Sequence, residues 1–319
     1  MELQFCFFLV ITSQSFAQTA NQTFFFKNNG RQVNRLDSAD FVRVVLPPDS
    51  GSKLFNITEY YKDKTRKLVG KSWAADKMQF DGQVQSFYPS GKKQEMSNYK
   101  NARKLGDSYE YYPNGKLYVH KKYLADDERV NGISELMLDC RDSTGAMLAT
   151  NGEGHYIAYS DKFSHVYDEG SIKNGLKEGE WKGDNGDKDH HITFTEVYEN
   201  GKLESGKALH LYEDKTYTYT ERNIQPQYPG GLGEFGKYLG TNIRYPGVSS
   251  FTGTRGRLIA RFVILPDGTL SEITIADSPD VLMSKEAVRV LNASPKWVPG
   301  YAFGKAARIS YTVPINFTM

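Results

Sequence analysis

The stretch RLIARFVILPDGTLSEITIA, residues 257–276, sets the fold expected for the C-terminal part of the chain. In its first half, large apolar residues recur at every second position, which is the period of a strand with one buried face. Asp267-Gly268 then offers the residue types that a tight hairpin turn requires. Apolar residues alternate again after the turn, so the stretch predicts an antiparallel β-hairpin. The side chains expected to share a face are Leu258, Ala260, Phe262 and Ile264 in the first strand, and Ile273 and Ile275 in the second.

Helical patterns flank this hairpin on both sides. Upstream, apolar residues within 232–243 recur at helical spacing, and Tyr245-Pro246-Gly247 ends the pattern. Downstream, a second helix is expected at about Ser284–Asn292 and is stopped by Pro295. A last alternating strand is expected at Ala306–Phe317. The order helix, strand, strand, helix, strand favours two helices on one face of a three-stranded antiparallel sheet.

Residues 21–222 carry a weak internal repeat of another kind. Phe87-Tyr88-Pro89-Ser90-Gly91-Lys92 returns as Tyr111-Tyr112-Pro113-Asn114-Gly115-Lys116, and Tyr198-Glu199-Asn200-Gly201-Lys202 repeats the turn. Each copy has the chemistry of a hairpin, in which an aromatic strand meets a glycine that accepts positive φ. Because one hairpin cannot bury its aromatic face alone, neighbouring hairpins must stack into a continuing sheet. The expected fold class is therefore α+β and strand-rich, an antiparallel meander of hairpins followed by a domain of three antiparallel strands with two helices.

Both parts of the chain resemble known families. Residues of about 225–319 resemble the TonB C-terminal domain family through Gln225-Pro226-Gln227-Tyr228-Pro229, Ser294-Pro295-Lys296-Trp297-Val298-Pro299-Gly300 and Tyr311-Thr312-Val313-Pro314-Ile315-Asn316-Phe317. The hairpins of residues 21–222 resemble MORN-type repeats. The boundary between the two domains is expected between residues 222 and 225, where the repeat pattern has stopped.

The resemblance to the TonB family implies a function in the cell envelope, associated with TonB-dependent transmembrane transport. In that family the domain grips an extended segment of an outer-membrane transporter by strand addition, in which main-chain hydrogen bonds form at an exposed sheet edge. Assembly as a homodimer is left open. By resemblance, the partner-binding residues are Gln225 and, in the final strand, Arg308, Ile309, Ser310, Tyr311, Thr312 and Val313.

A second hypothesis belongs to a different class of protein. In this reading the repeats bind an envelope protein or a glycan, and the TonB-like part is only the docking module of a structural adaptor, without transport. Energy-transducing members of the family carry an uncleaved membrane helix and a long extended segment, and neither pattern is visible here. A retained N-terminus would favour coupling to transport, and a cleaved, soluble form would favour the adaptor.

Composition and motifs give no support for catalysis, for a cofactor or for nucleic-acid binding. The net charge of +2 provides no strong positive field. Gly231-Leu232-Gly233-Glu234-Phe235-Gly236 fits a dinucleotide-binding pattern only in its glycines, since Pro229-Gly230 stands where a strand should precede it. The remaining candidate ligands match no metal site in their spacing, and a solvated turn without metal is expected there. They are Asp184, Asp187, Asp189, His190 and His191.

Two further residues are expected to be structural. Cys140 ends the strand-like stretch 136–140 and is expected to be a buried thiol rather than a nucleophile. Trp297 lies between Pro295 and Pro299 and is expected to pack in the core or at its rim rather than to contact a ligand.

Residues 1–17 are interpreted as a cleavable secretory signal, which places the mature protein in the periplasm. Their apolar run is too short to span a bilayer comfortably, and Ser15-Phe16-Ala17 has small residues where signal peptidase reads them. N-terminal sequencing of the native protein should find a start near Gln18. Retention of Met1 on a membrane-bound form would contradict this expectation and support a transducer.

Overall fold

The chain folds into two compact units. Among the described residues, the first comprises residues 21–156 with 172–176, and the second comprises those from 157–171 with 177–317. No helix in the described part of the chain is long and apolar enough to cross a membrane. The expected signal at residues 1–17 lies outside the described residues. The computed structural model describes residues 21–160, 162–247, 251, 253 and 255–317.

The first unit is an antiparallel meander. Its strands are β1 (Gln22–Phe26), β2 (Gln32–Val33), β3 (Phe41–Leu46), β4 (Phe55–Tyr61), β5 (Arg66–Ser72), β6 (Gly82–Phe87), β7 (Lys93–Lys100), β8 (Arg103–Tyr111), β9 (Leu117–Tyr123), β10 (Glu135–Arg141), β11 (Met147–Thr150) and the start of β12 (Glu153–Tyr159). From β3 onward each strand pairs with the next one. Gly91 and Gly115 close their turns with φ of 80° and 89°. The stacked hairpins expected from the repeat are confirmed.

Tyrosine hydroxyls tie consecutive hairpins of this unit together. Each tyrosine donates to a main-chain carbonyl of the following hairpin, so one copy of the repeat satisfies the polar group of the copy before it. A half-buried hydroxyl needs such a partner, which gives the repeat a physical reason to carry tyrosine. The bonds run from Tyr61 to Phe87 (2.8 Å), from Tyr88 to Tyr111 (2.6 Å) and from Tyr112 to Arg141 (2.8 Å).

The second unit contains the last hairpins of the meander and a C-terminal module with two helices. Strands β14 to β17 pair in sequence, β18 pairs with β21 and β21 with β22, and β19 lies between β20 and β23. The elements are β13 (Val166–Lys173), β14 (Leu176–Asp184), β15 (Ile192–Glu199), β16 (Lys202–His210), β17 (Lys215–Tyr219), β18 (Asn223–Ile224), α1 (Gly231–Asn242), β19 (Gly256–Ile264), β20 (Leu270–Asp277), α2 (Val281–Asn292), β21 (Tyr301–Ala302), β22 (Lys305–Ala306) and β23 (Ile309–Phe317).

The three-stranded sheet and the two helices of the module appear in the expected order, although α2 begins earlier than its apolar pattern indicates. The helix starts at Val281 rather than near Ser284. Asp280 is its N-cap, because the carboxylate accepts a hydrogen bond of 2.7 Å from the N–H of Leu282.

The last strand differs more from the expectation, since the single strand predicted at residues 306–317 is divided. β22 pairs back onto β21, whereas β23 pairs with β19. At the break, the N–H of Ala307 donates to the carbonyl of Gly300 at 2.9 Å. An alternating pattern indicates which residues are extended, but it does not show where a strand changes partner.

The core of the module is centred on Trp297, which is 2% exposed. The indole N–H donates to the Ser294 hydroxyl at 3.2 Å. Four aromatic rings surround the indole, one from each of the segment before α1, α1, β19 and β23. Their ring centroids lie 5.5 Å (Tyr228), 5.1 Å (Phe235), 5.7 Å (Phe262) and 5.3 Å (Tyr311) from that of Trp297. The expectation that Trp297 packs in the core is confirmed, and Cys140 is likewise fully buried, in β10.

Replacing Trp297 with alanine should lower the free energy of unfolding of the second unit by about 3–5 kcal/mol, because the cavity would lie among aromatic rings from four parts of the module. Trp73→Ala is the matched control, since the Trp73 side chain is 45% exposed in the first unit. Calorimetry of the full chain would separate the two cases. A Trp297→Ala scan that superimposes on that of Trp73→Ala would contradict the central position of this indole.

Candidate functional site

The final strand forms one edge of the sheet in the C-terminal module. β23 pairs with β19 from Ile309 opposite Ile264 to Phe317 opposite Gly256, without a register shift. Across the described residues, no other strand pairs with the free side of β23. Of the predicted binding residues, those at 309–313 lie in this strand, and Arg308 directly precedes it.

Side chains of β23 alternate between a covered and an open face. Tyr311 and Val313 pack against the core, whereas Ser310 and Thr312 are exposed. Successive side chains of a strand point to opposite faces, so the open face of β23 carries only the short side chains of Ser310, Thr312, Pro314 and Asn316. No long side chain of the strand itself shields the edge from an added strand.

Hydrogen bonds of the hairpin turn show which main-chain groups of β23 point outward. Leu265 donates to Thr269 at 2.9 Å and accepts from Gly268 at 2.8 Å, so both of its main-chain groups face β20. The groups of successive strand residues alternate in direction, so Ile264 faces β23. Ile309 lies opposite Ile264, and its main-chain groups therefore point inward.

The same alternation, carried along the unshifted pairing of β23, directs the N–H groups of Ser310 and Thr312 outward. Pro314 agrees with this assignment, because a proline has no N–H and is accepted in a sheet where that position faces solvent at an edge. At the free edge, the outward positions Ser310 and Thr312 each offer an N–H donor, and the next outward position, Pro314, offers none.

The opposite edge of the sheet, β20, is irregular. Its pairing with β19 shifts between Ile259 and Ala260 and again between Arg261 and Val263. Glu272 adopts a φ of 51° within the second shift. Bulges of this kind twist an edge and disrupt its row of hydrogen-bonding groups. Of the two edges, β23 is therefore the regular one.

Arg308 and Gln225 contribute differently to the predicted site. The Arg308 guanidinium lies 2.6 Å from the Glu272 carboxylate, with both side chains more than half exposed, and such a pair contributes little stability. Gln225 is exposed and precedes the bridge between Gln227 and Val298.

Gly300 shows that the neighbours of Gln225 lie close to the start of β23. A Cβ at Gly300 would be 2.2 Å from Ile309 Cδ1, 2.7 Å from the carbonyl oxygen of Ile224 and 2.9 Å from Pro226 Cδ. The tertiary structure thus brings Gln225 into the vicinity of the final strand, although the two are far apart in sequence.

The acidic and histidine-rich turn predicted to be solvated is closed by its own hydrogen bonds. The Asp184 carboxylate is hydrogen-bonded to Nε2 of His191, and it lies 3.4 Å from Nε2 of His165. Asp187 accepts from the N–H groups of Asp189 and His190 at 2.8 and 3.0 Å. Among the residues that the structure describes, no group of three or more acidic, histidine or cysteine side chains is placed to hold a metal. The absence of a metal stays a prediction.

A buried polar cluster in the second unit was not foreseen from the sequence. Glu196 is fully buried, and its carboxylate accepts hydrogen bonds from Arg222 Nε at 2.9 Å and from the Tyr219 hydroxyl at 2.7 Å. Burial alone would raise the pKa of Glu196, but hydrogen bonds led by that of Arg222 outweigh it and hold the pKa below its usual value. Arg222 also lies 3.3 Å from Asp168. The partners come from three separate stretches of chain, so no local pattern could have indicated them.

Comparison with known proteins found one family model and one solved structure similar to part of the chain. Residues 241–319 match the family model described as Gram-negative bacterial TonB protein C-terminal. This match confirms the resemblance to the TonB family over that part of the chain. A solved structure, the NMR solution structure of the Helicobacter pylori TonB-CTD, is 17% identical, with 27% of this chain and 91% of that chain covered and a TM-score of 0.23. No curated protein matches the chain.

Proline substitutions should distinguish the two directions of main-chain groups in β23. Thr312→Pro removes an outward N–H and should change the free energy of unfolding by less than about 1 kcal/mol relative to Thr312→Ala. Val313→Pro removes an inward N–H and should cost about 1–3 kcal/mol more than Val313→Ala, because a buried acceptor on β19 loses its donor. Urea unfolding measures all four variants. Equal losses at both positions would show that the assignment of inward and outward groups is wrong.

Proposed function

We propose that this chain is a cell-envelope protein whose C-terminal module binds an extended segment of an outer-membrane transporter by strand addition at β23. The observation that carries the proposal is the regular free edge with outward donors at Ser310 and Thr312. An edge of this kind is a template for another strand unless the protein blocks it. The other edge of the same sheet is interrupted by bulges, which leaves β23 as the better template.

The family match supports the same partner class. The TonB C-terminal family acts in the envelope on outer-membrane transporters, and the matched residues 241–319 include the whole of β23. The proposal places the protein in the periplasm, where such a transporter segment is accessible. It assigns a binding role and no catalytic step.

Strand addition sets the chemistry that the partner needs. Main-chain hydrogen bonds contribute only about 0.5–1.5 kcal/mol each after exchange with water, and ordering a flexible peptide consumes part of that. Alternate side chains of the peptide must therefore supply further contacts. One face of an added strand would continue the open face of Ser310 and Thr312, and the other would lie beside Ile309 and Tyr311 on the helix-covered side. A peptide with small polar and apolar residues at alternate positions fits these two faces.

Titration of the full chain with peptides from the periplasmic N-terminal extensions of outer-membrane transporters tests the proposal. Amide shifts should concentrate in residues 308–313 and spare the first unit. Thr312→Pro should abolish binding because it removes an outward donor, whereas Thr312→Ala should retain it. Gln225→Ala should weaken binding less, since Gln225 offers only side-chain contacts. Shifts that cluster in the repeats and spare β23 would contradict strand addition and favour the structural adaptor.

A further inference from the structure

The segment that leads into the final strand is a short hairpin, residues 301–306, here called the anchoring hairpin. It consists of β21 and β22 and turns at Phe303-Gly304. Its first strand pairs with β18, so that Asn223 lies opposite Ala302 and Ile224 opposite Tyr301. The hairpin therefore holds the chain where it enters the C-terminal module.

The tip of the anchoring hairpin carries an unusual residue for its conformation. Phe303 has a φ of 50° and Gly304 a φ of 78°, which is the backbone that favours Asn-Gly or Gly-Gly in a two-residue hairpin. Positive φ is unfavourable for a bulky L-residue. The backbone alone would select a different residue, so tertiary contacts of the phenylalanine ring must hold it there.

Those contacts are made with the last strands of the meander. The Phe303 ring is 7% exposed, and its centroid lies 5.1 Å from that of Phe194 and 6.0 Å from that of Tyr219. The Arg222 guanidinium lies 5.4 Å from the same ring. The N–H of Phe303 donates to the carbonyl of Arg222 at 2.7 Å. All of these residues belong to the second unit.

The neighbours of Phe303 fit the same surface. A Cβ at Gly304 would lie 2.8 Å from the carbonyl oxygen of Thr218, so the tip approaches β17 more closely than any other residue would allow. Lys305 forms an ion pair with Glu213. A His210 ring nitrogen lies 3.4 Å from the carbonyl oxygen of Phe303. The tip is therefore seated by apolar, main-chain and charged contacts together.

Only Ala307 and Arg308 separate the anchoring hairpin from β23. The N–H of Ala307 donates a hydrogen bond to the carbonyl of Gly300, the residue that directly precedes the hairpin. The side chain of Ile309 packs against that same glycine, at a position that Ile224 and Pro226 also contact. The start of the final strand is thus placed by the anchoring hairpin as well as by its pairing with β19.

We infer that seating of Phe303 on the last strands of the meander, β15 to β17, holds the beginning of β23 in the conformation that accepts a peptide, so that these strands influence how well the edge binds. The inference rests on the proposed function, and Phe303 is a positioning residue that does not touch the peptide. Holding a binding segment in its bound conformation raises affinity, because the ordering cost is no longer met on binding. When the competent state is only partly populated, the apparent affinity falls by that fraction.

Phe303→Asn in the full chain is the sharpest test. Asparagine is favoured at this turn position, so the hairpin should remain formed while its anchor to Phe194 and Tyr219 is lost. Exchange of the inward amides of Ile309 and Tyr311 should accelerate about tenfold in the free protein, as local opening becomes easier. Affinity for the transporter-derived peptide should fall about three- to tenfold. Phe303→Leu retains an apolar anchor and should restore both quantities in large part.

Phe80→Ala is the matched control. Phe80 is also 7% exposed but packs with Val84 in the core of the first unit. It should destabilise that unit without changing exchange at Ile309 or the affinity for the peptide. If Phe80→Ala changed the exchange at Ile309 and the peptide affinity as much as Phe303→Asn does, the effect of Phe303 would be one of overall stability. That result would overturn the inference.

The two readouts separate this inference from the proposed function. Peptide binding at β23 with unchanged exchange and affinity in Phe303→Asn would leave strand addition intact and refute the coupling. Absence of peptide binding at β23 in the unsubstituted chain would refute the proposed function, and the inferred role of Phe303 in binding would fall with it. Faster exchange together with weaker binding in Phe303→Asn alone would support both.

Discussion

Burial of the Trp297 indole is the interaction on which the C-terminal module depends. A three-stranded sheet that is apolar on one face has only marginal stability unless another layer packs against that face. Tyr228, Phe235, Phe262 and Tyr311 converge on this side chain from four parts of the chain. The main chain of Trp297 also closes on the hairpin turn, because its N–H donates to Gly268 at 2.8 Å. A Cβ at Gly268 would lie 2.1 Å from the Trp297 carbonyl oxygen.

The aromatic cluster also determines what the free edge presents. Tyr311 belongs to the cluster, and burial of its ring fixes the alternation of β23 along its whole length. Ser310 and Thr312 are therefore held on the open face, and the unshifted pairing with β19 keeps the row of outward groups straight. At the other edge the shifts beside Glu272 break that row. Of the two edges of this sheet, β23 is therefore the one with a regular row of outward main-chain groups.

The last strands of the meander also support the C-terminal module, because the anchoring hairpin packs against them. Glu196 and Arg222 form a buried pair that is satisfied by several hydrogen bonds, which is the condition under which a buried charge is tolerated. The Arg222 guanidinium also faces the rings of Phe194 and Phe303, so the polar cluster and the apolar seat of the anchoring hairpin share a residue. The last hairpin of a repeat array needs a cover for its open end, and Phe303 supplies part of one.

Local patterns in the sequence indicated the order of helices and strands in the C-terminal module. Alternation and helical spacing indicated β19, β20, α1 and α2, and Asp267-Gly268 indicated the turn between β19 and β20. These features depend on residues that are close together in the chain. The resemblance to the TonB family indicated the final strand as the binding edge, a role that stays a prediction. Four features could be seen only in the folded chain. They are the break before Ile309, the direction of the outward main-chain groups of β23, the contacts of Phe303 and the pairing of Glu196 with Arg222. Each of these depends on contacts between distant segments, whose partners are set by packing of the whole unit and leave no periodic trace in the sequence.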